Sequence, residues 1–163
     1  MARHEADRED LFAELVTAEA RWELRIAGWD QPVVTGVRPR GIWSVYFSPD
    51  RCYHFDAQGG LRRAYIDGVL YRSEGTTLTR LVRERSDSET TLLSRSLTDA
   101  DLAELLAEMR GWIQRFRNAL NSDGFQVLRS EPAKVRIAIL VDCCDLVLKG
   151  ESPLSSGLVD RGA

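Results

Sequence analysis

The stretch RCYHFDAQGGLRRAYIDGVLYRS, residues 51–73, gathers most of the side chains in this chain that could do chemistry. Cys52, His54 and Asp56 alternate, so on a strand they share one face. As metal ligands they are badly spaced. Alternate strand positions lie about 6.6 Å apart, and three of them rarely reach one ion. His4 is the one other histidine, and no second Cys/His group completes a tetrahedral set. The reading is therefore no metal and no cofactor.

Turn chemistry suggests a different grouping. Asp67-Gly68 suits a two-residue hairpin turn, where both central residues need positive φ. That turn pairs Arg63 with Arg72 and Tyr65 with Leu70. A four-residue loop at 57–60 pairs His54 with Arg63, Cys52 with Tyr65 and Asp56 with Leu61. His54, Arg63 and Arg72 then form a row across three strands, with Cys52, Asp56, Tyr65 and Glu74 on the same face. Two arginines directly opposite repel unless something negative lies between them. Asp56 or Glu74 would serve, and so would an anionic ligand held through bidentate contacts. In that case Arg63 and Arg72 are clamps, Tyr65 is a hydrogen-bond partner and His54 is a candidate acid/base. The alternative is an ordinary solvated polar face, where arginine stems cover apolar neighbours. A tight turn at Pro49-Asp50 would add Trp43, Val45 and Phe47 to this face, with Leu61 and Leu70 beside them, making it amphipathic.

Other motifs are absent. The chain has no G-x-G-x-x-G, P-loop, H-E-x-x-H or G-x-S-x-G. The DCCD run at 142–145 is not a C-x-x-C pair. On a helix its thiols diverge by about 100°, so one belongs to the core and the other to its border. GVRPRG, residues 36–41, is a short basic loop that could touch phosphate.

The elements that would hold these residues follow from periodicity. Residues 5–27 read as an N-terminal helix. Leu11, Phe12, Leu15, Val16, Trp22, Ile26 and Trp29 make the stripe, Leu24 falls off it, and Gly28 stops it. Residues 30–41 read as a loop. From Gly41 to about Arg95 the period becomes two, which predicts an antiparallel meander of five or six strands. Residues 98–120 read as a long helix capped by Thr98, with a stripe from Leu102 to Leu120. FQVLRS, residues 125–130, suits a last short strand. Residues 131–149 fit either type. Val135, Ile137, Ile139 and Val141 alternate, yet length, a Ser130 cap, Pro132 in the first turn and Gly150 as a stop favour a helix. The expected architecture is a single α+β domain over 1–150, with a flexible tail at 151–163.

Composition agrees with that picture. The 163 residues are 44% hydrophobic and 29% charged, as in a soluble globular domain. A net charge of −3 gives no reason to expect nucleic-acid binding. The N-terminus lacks the charged and apolar regions of a signal peptide, and no apolar run is long enough to span a membrane. Three cysteines, two of them adjacent, are no disulfide framework and suggest a reducing cytoplasm. Basic residues are nearly all arginine, as codons of a GC-rich genome would favour.

Two functions follow as expectations. One is a non-enzymatic interaction or assembly domain, with a protein partner or a second copy on the amphipathic sheet face. The other is a binding protein or enzyme for a small anion, using Arg63, Arg72 and His54.

Overall fold

The computed structural model describes residues 18–38, 43–86, 89–131, 136–150 and 154. One antiparallel sheet and two helices make up these residues, an α+β arrangement. The strands are β1 (Ala20–Ile26), β2 (Val33–Val37), β3 (Trp43–Ser48), β4 (Arg51–Phe55), β5 (Leu61–Ile66), β6 (Val69–Glu74), β7 (Thr77–Ser86), β8 (Glu89–Ser96) and β9 (Phe125–Glu131). Helix α1 spans Asp99–Asn121 and α2 spans Ile137–Lys149. The spatial order is β8-β7-β6-β5-β4-β3-β2-β1-β9, so the chain meanders through eight strands and returns after α1 to place β9 beside β1.

The six segments of period two are β3 to β8. The sheet has more strands than the expected five or six, because residues 20–26 and 33–37, expected as helix and loop, are strands β1 and β2. Residues 20–26 are strand, not helix. Trp22, Leu24 and Ile26 are buried while Arg21, Glu23 and Arg25 lie on the other face, a clean alternation. Trp22 and Ile26 also satisfy helical spacing; Leu24, which that spacing leaves out, is the residue that separates the two periods. The rest of the expected helix, 5–17, lies outside the described residues. In the expected loop, Val33-Val34-Thr35 begins β2 directly after Pro32, where a proline costs no ladder hydrogen bond. Thr35 is buried but satisfied: Trp43 Nε1 donates to its hydroxyl at 2.5 Å, and the hydroxyl donates to the Ser44 carbonyl at 2.8 Å.

Helix α1 begins as expected, with Thr98 Oγ1 accepting from the Asp101 amide at 3.2 Å. It buries Leu105, Met109, Ile113, Phe116 and Leu120. Phe116 stacks on Trp43, and Trp43 on Phe55 at 5.2 Å between centroids. The second helix starts at Ile137 and not at 131: Ser130 and Glu131 belong to β9, and residues 132–135 lie outside the described residues. Leu140, Cys144 and Val147 face the core. Arg110 on α1 donates to the Leu148 and Gly150 carbonyls at the end of α2, and Arg117 pairs with Asp145. Within the expected tail, Leu154 is buried and bridges Leu61; its neighbours lie outside the described residues. No helix among the described residues is long and apolar enough to cross a membrane.

Gly59, in the β4–β5 loop, has φ +81° and sits against α2. A Cβ there would meet the Leu146 carbonyl group at 2.9 Å, whereas one at Gly28 (φ +85°) would meet nothing within 4 Å. Gly28→Ala therefore costs backbone strain alone, about 1 kcal/mol. Gly59→Ala adds a clash with helix backbone and costs about 3 kcal/mol. Chemical denaturation of both variants checks this; equal losses would contradict the seating of α2 on the loop.

Candidate functional site

Two single-residue bulges decide which side chains share a face. Ser48 pairs with Arg51 across a tight Pro49-Asp50 turn, as expected, but Tyr46 then pairs with Cys52, leaving Phe47 as an extra residue. Trp43 consequently lies opposite Phe55 and Val45 opposite Tyr53, on the helix-covered side. The expectation that Trp43, Val45 and Phe47 share the His54 face is wrong by this one residue; Ser44 and Tyr46 are there instead. On the other side of β4, His54 pairs with Arg63 but Phe55 pairs with Leu61, leaving Arg62 as the extra residue. Leu61 joins the main core, not the His54 face. Asp56 does not pair with Leu61; its amide donates to the Gly60 carbonyl.

The remaining register is as expected: Cys52 opposite Tyr65, Tyr65 opposite Leu70, and Arg63 opposite Arg72. Away from the helices a continuous row therefore runs Gly36, Ser44, His54, Arg63, Arg72, Thr79 over six strands. Beside it, Cys52, Tyr65 and Leu70 form a second buried cluster with Tyr46 and Leu81 packed on it.

Each member of the Cys-His-Asp alternation has its own structural partner. Cys52 Sγ lies 3.9 Å from the Ser48 carbonyl. Asp56 Oδ1 accepts from the Gln58 amide at 2.9 Å and the Gly60 amide at 2.8 Å, closing the β4–β5 loop. His54 Nδ1 and the Ser44 hydroxyl share a hydrogen bond of 2.5 Å. His54 is only 4% exposed. Burial first, and then the positive charges of Arg62, Arg63 and Arg38, push its pKa down to about 4; Asp56 opposes them. At neutral pH it is an uncharged hydrogen-bonding group.

Arg72 is the least satisfied member of the row. Its Nε is buried without a partner, and among the described residues no side chain bonds to its guanidinium. Glu74, the nearest acid in sequence, accepts from Thr79 and Ser94 instead. The thiols of Cys143 and Cys144 are both pushed up by burial, Cys143 to about 12, so neither is a thiolate at neutral pH. Cys144 is core and Cys143 borders it.

A second grouping was not legible in the sequence. The turn after β1, closed by the Trp29 amide donating to the Ile26 carbonyl, returns Trp29 against Phe47 at 5.6 Å and Trp112 at 5.4 Å. Arg51 lies 4.9 Å from the Trp112 ring, donates to Tyr53 Oη and pairs with Glu108 at 2.7 Å. Arg115 covers the same ring at 4.2 Å. Trp112 and Arg115 stand one helical turn apart, which is the only sequence signal of this contact.

No protein-family model, curated protein or solved structure matches the chain.

The neutral His54 has a consequence for pH dependence. The unfolded chain takes up its proton near pH 6.5, whereas the folded protein does so only near pH 4. Stability that is complete above pH 6.5 is therefore lost as pH falls toward 4, by about 3 kcal/mol. His54→Gln keeps a partner for Ser44 and removes this loss. Denaturation at pH 7 and pH 4 should show a shallower fall for the variant; parallel falls would place His54 in water.

Proposed function

We propose that this domain binds a small anion bearing carboxylate or phosphate groups on the sheet face away from the helices. Arg72 and Arg63 clamp the anion, and Tyr65 stands beside them as a hydrogen-bond partner. Ser44-His54 forms the neutral polar floor of the site. The observation that carries this reading is the buried, unpartnered Nε of Arg72 directly opposite a second arginine. A buried donor without an acceptor costs about 1–3 kcal/mol. An anion at Arg72 removes that cost, and the guanidinium of Arg63 opposite adds further donors to hold it. The position of His54 supports binding rather than proton transfer, because its neutral imidazole sits well below the pH range where an acid/base group is most useful.

The interaction reading draws on a different place from the one expected. With Trp43, Val45, Phe47 and Leu61 in the core, the His54 face keeps fewer apolar residues, and Cys52, Tyr65 and Leu70 among them are buried. What favours a second copy or a protein partner is β9. It stands at one end of the strand order with Val127 43% and Leu128 39% exposed, an apolar pair on an edge strand. A Val127→Glu variant that sediments like the wild type at all concentrations would remove that reading.

The anion site makes a paired prediction. At saturating phosphate or citrate the wild type gains stability, about 2.7 kcal/mol at a hundredfold excess over Kd, beyond any effect of chloride at equal ionic strength. Arg72→Gln loses this gain. In buffer without multivalent anions the variant is as stable as the wild type or more so, since a buried donor without an acceptor is gone. Equal phosphate responses in both proteins would overturn the site.

A further inference from the structure

On the helix side, far from the arginine row in the fold, Trp29, Phe47 and Trp112 wall a cleft of about 340 Å³ that Asp30, Gln31 and Arg115 complete. That volume lies in the range of small-molecule sites, and aromatic walls with a few polar groups are their usual make-up.

The polar groups are specific. The Arg115 guanidinium lies 4.2 Å from the Trp112 ring centroid and 6.0 Å from that of Trp29. Its Nε donates to the Gly111 carbonyl one turn earlier at 3.4 Å. Stacking and this bond hold the planar fork, while its terminal nitrogens meet no acceptor among the described residues. Asp30 follows Trp29 directly and likewise pairs with no cation among the described residues. The cleft therefore offers one free guanidinium, one free carboxylate and an aromatic wall between elements that the Gly28 turn and α1 fix. Alone, neither charge selects a ligand. Together they match a molecule carrying a carboxylate, an ammonium and a flat apolar ring.

We infer that this cleft binds a free aromatic amino acid, its carboxylate on Arg115, its ammonium on Asp30 and its ring against Trp29 and Phe47. The guanidinium takes the carboxylate through two parallel N–H donors. The ring gains edge or stacking contacts with the Trp29 indole and the edge of the Phe47 ring. No bond is made or broken, so the cleft is a recognition site and needs no co-reactant. It shares no residue with the anion site, and either stands if the other fails.

The test is a titration with L-phenylalanine, which leaves tryptophan excitation at its red edge unobstructed, followed by fluorescence and by amide shifts in a proton–nitrogen spectrum. The wild type should respond saturably, with Kd below about 1 mM. Shifts should concentrate at Gly28–Gln31 and Gly111–Arg115. Arg115→Gln and Asp30→Asn alter exposed side chains, and each should weaken binding at least tenfold. Phenethylamine, which lacks the carboxylate, should be indifferent to Arg115→Gln. Phenylacetate, which lacks the ammonium, should be indifferent to Asp30→Asn. A response that never saturates, shifts scattered over the sheet, or equal affinity in all three proteins would overturn the inference. Circular dichroism of the variants separates a lost ligand from a lost fold.

Discussion

The extra residues on either side of β4, Phe47 in β3 and Arg62 in β5, are the constraint on which this structure rests. Side chains on a strand alternate, so one added residue exchanges the two faces beyond it. With Phe47 as the extra residue, Trp43, Val45 and Phe47 all face α1, and Phe47 packs between Trp112 at 5.3 Å and Phe116 at 5.7 Å. Without it, Trp43 and Val45 would turn to the His54 side. Each large side chain removed from the core forfeits about 2–3 kcal/mol, which is enough to hold the bulge in place. Arg62 does the same for Leu61, which reaches the core and meets Leu154. The bulged residues thus sort the two faces: Trp43, Val45 and Leu61 turn toward the helices, and the His54–Arg63–Arg72 row lies away from them beside the Cys52, Tyr65 and Leu70 cluster.

That separation explains the electrostatics. A histidine beside three arginines would be hard to keep protonated even in water, and here it is buried as well. The fold keeps it neutral and hydrogen-bonded to Ser44. Arginine differs, because it stays charged in any protein environment. Arg72, opposite Arg63 in this register, keeps a buried Nε–H without an acceptor, and that donor is what the proposed anion would satisfy. On the Trp112 side of the sheet, Arg51 pairs with Glu108, donates to Tyr53 Oη and lies over the indole ring that Arg115 also covers.

Legibility in the sequence followed the turns. Asp67-Gly68 fixed the Arg63–Arg72 and Tyr65–Leu70 pairs, and Asp67 indeed has φ 50° and Gly68 φ 83°. Thr98 marked the start of α1. The Pro49-Asp50 turn was also legible, yet the faces of β3 were not, because a bulge carries no residue type of its own when the extra position is a phenylalanine that packs well. The strand β1 was hidden by arithmetic: tryptophan and isoleucine four apart fit both periods, and only Leu24 spoke for the strand. The Trp29–Trp112 contact joins a turn to a helix across more than eighty residues, a pairing that periodicity within one segment cannot register.

Anion binding at the arginine row is read on the arginine side chains themselves. Nitrogen-15 spectra of the guanidinium Nε–H groups, recorded during a phosphate titration at constant ionic strength, resolve the row from the solvated arginines. In the free protein the Arg72 Nε–H should exchange slowly and, with phosphate, shift saturably together with Arg63, while exposed residues such as Arg25 and Arg136 do not move. Uniform small shifts across all arginines, or an Arg72 signal that exchanges with water as fast as theirs, would rule out an anion site on the row.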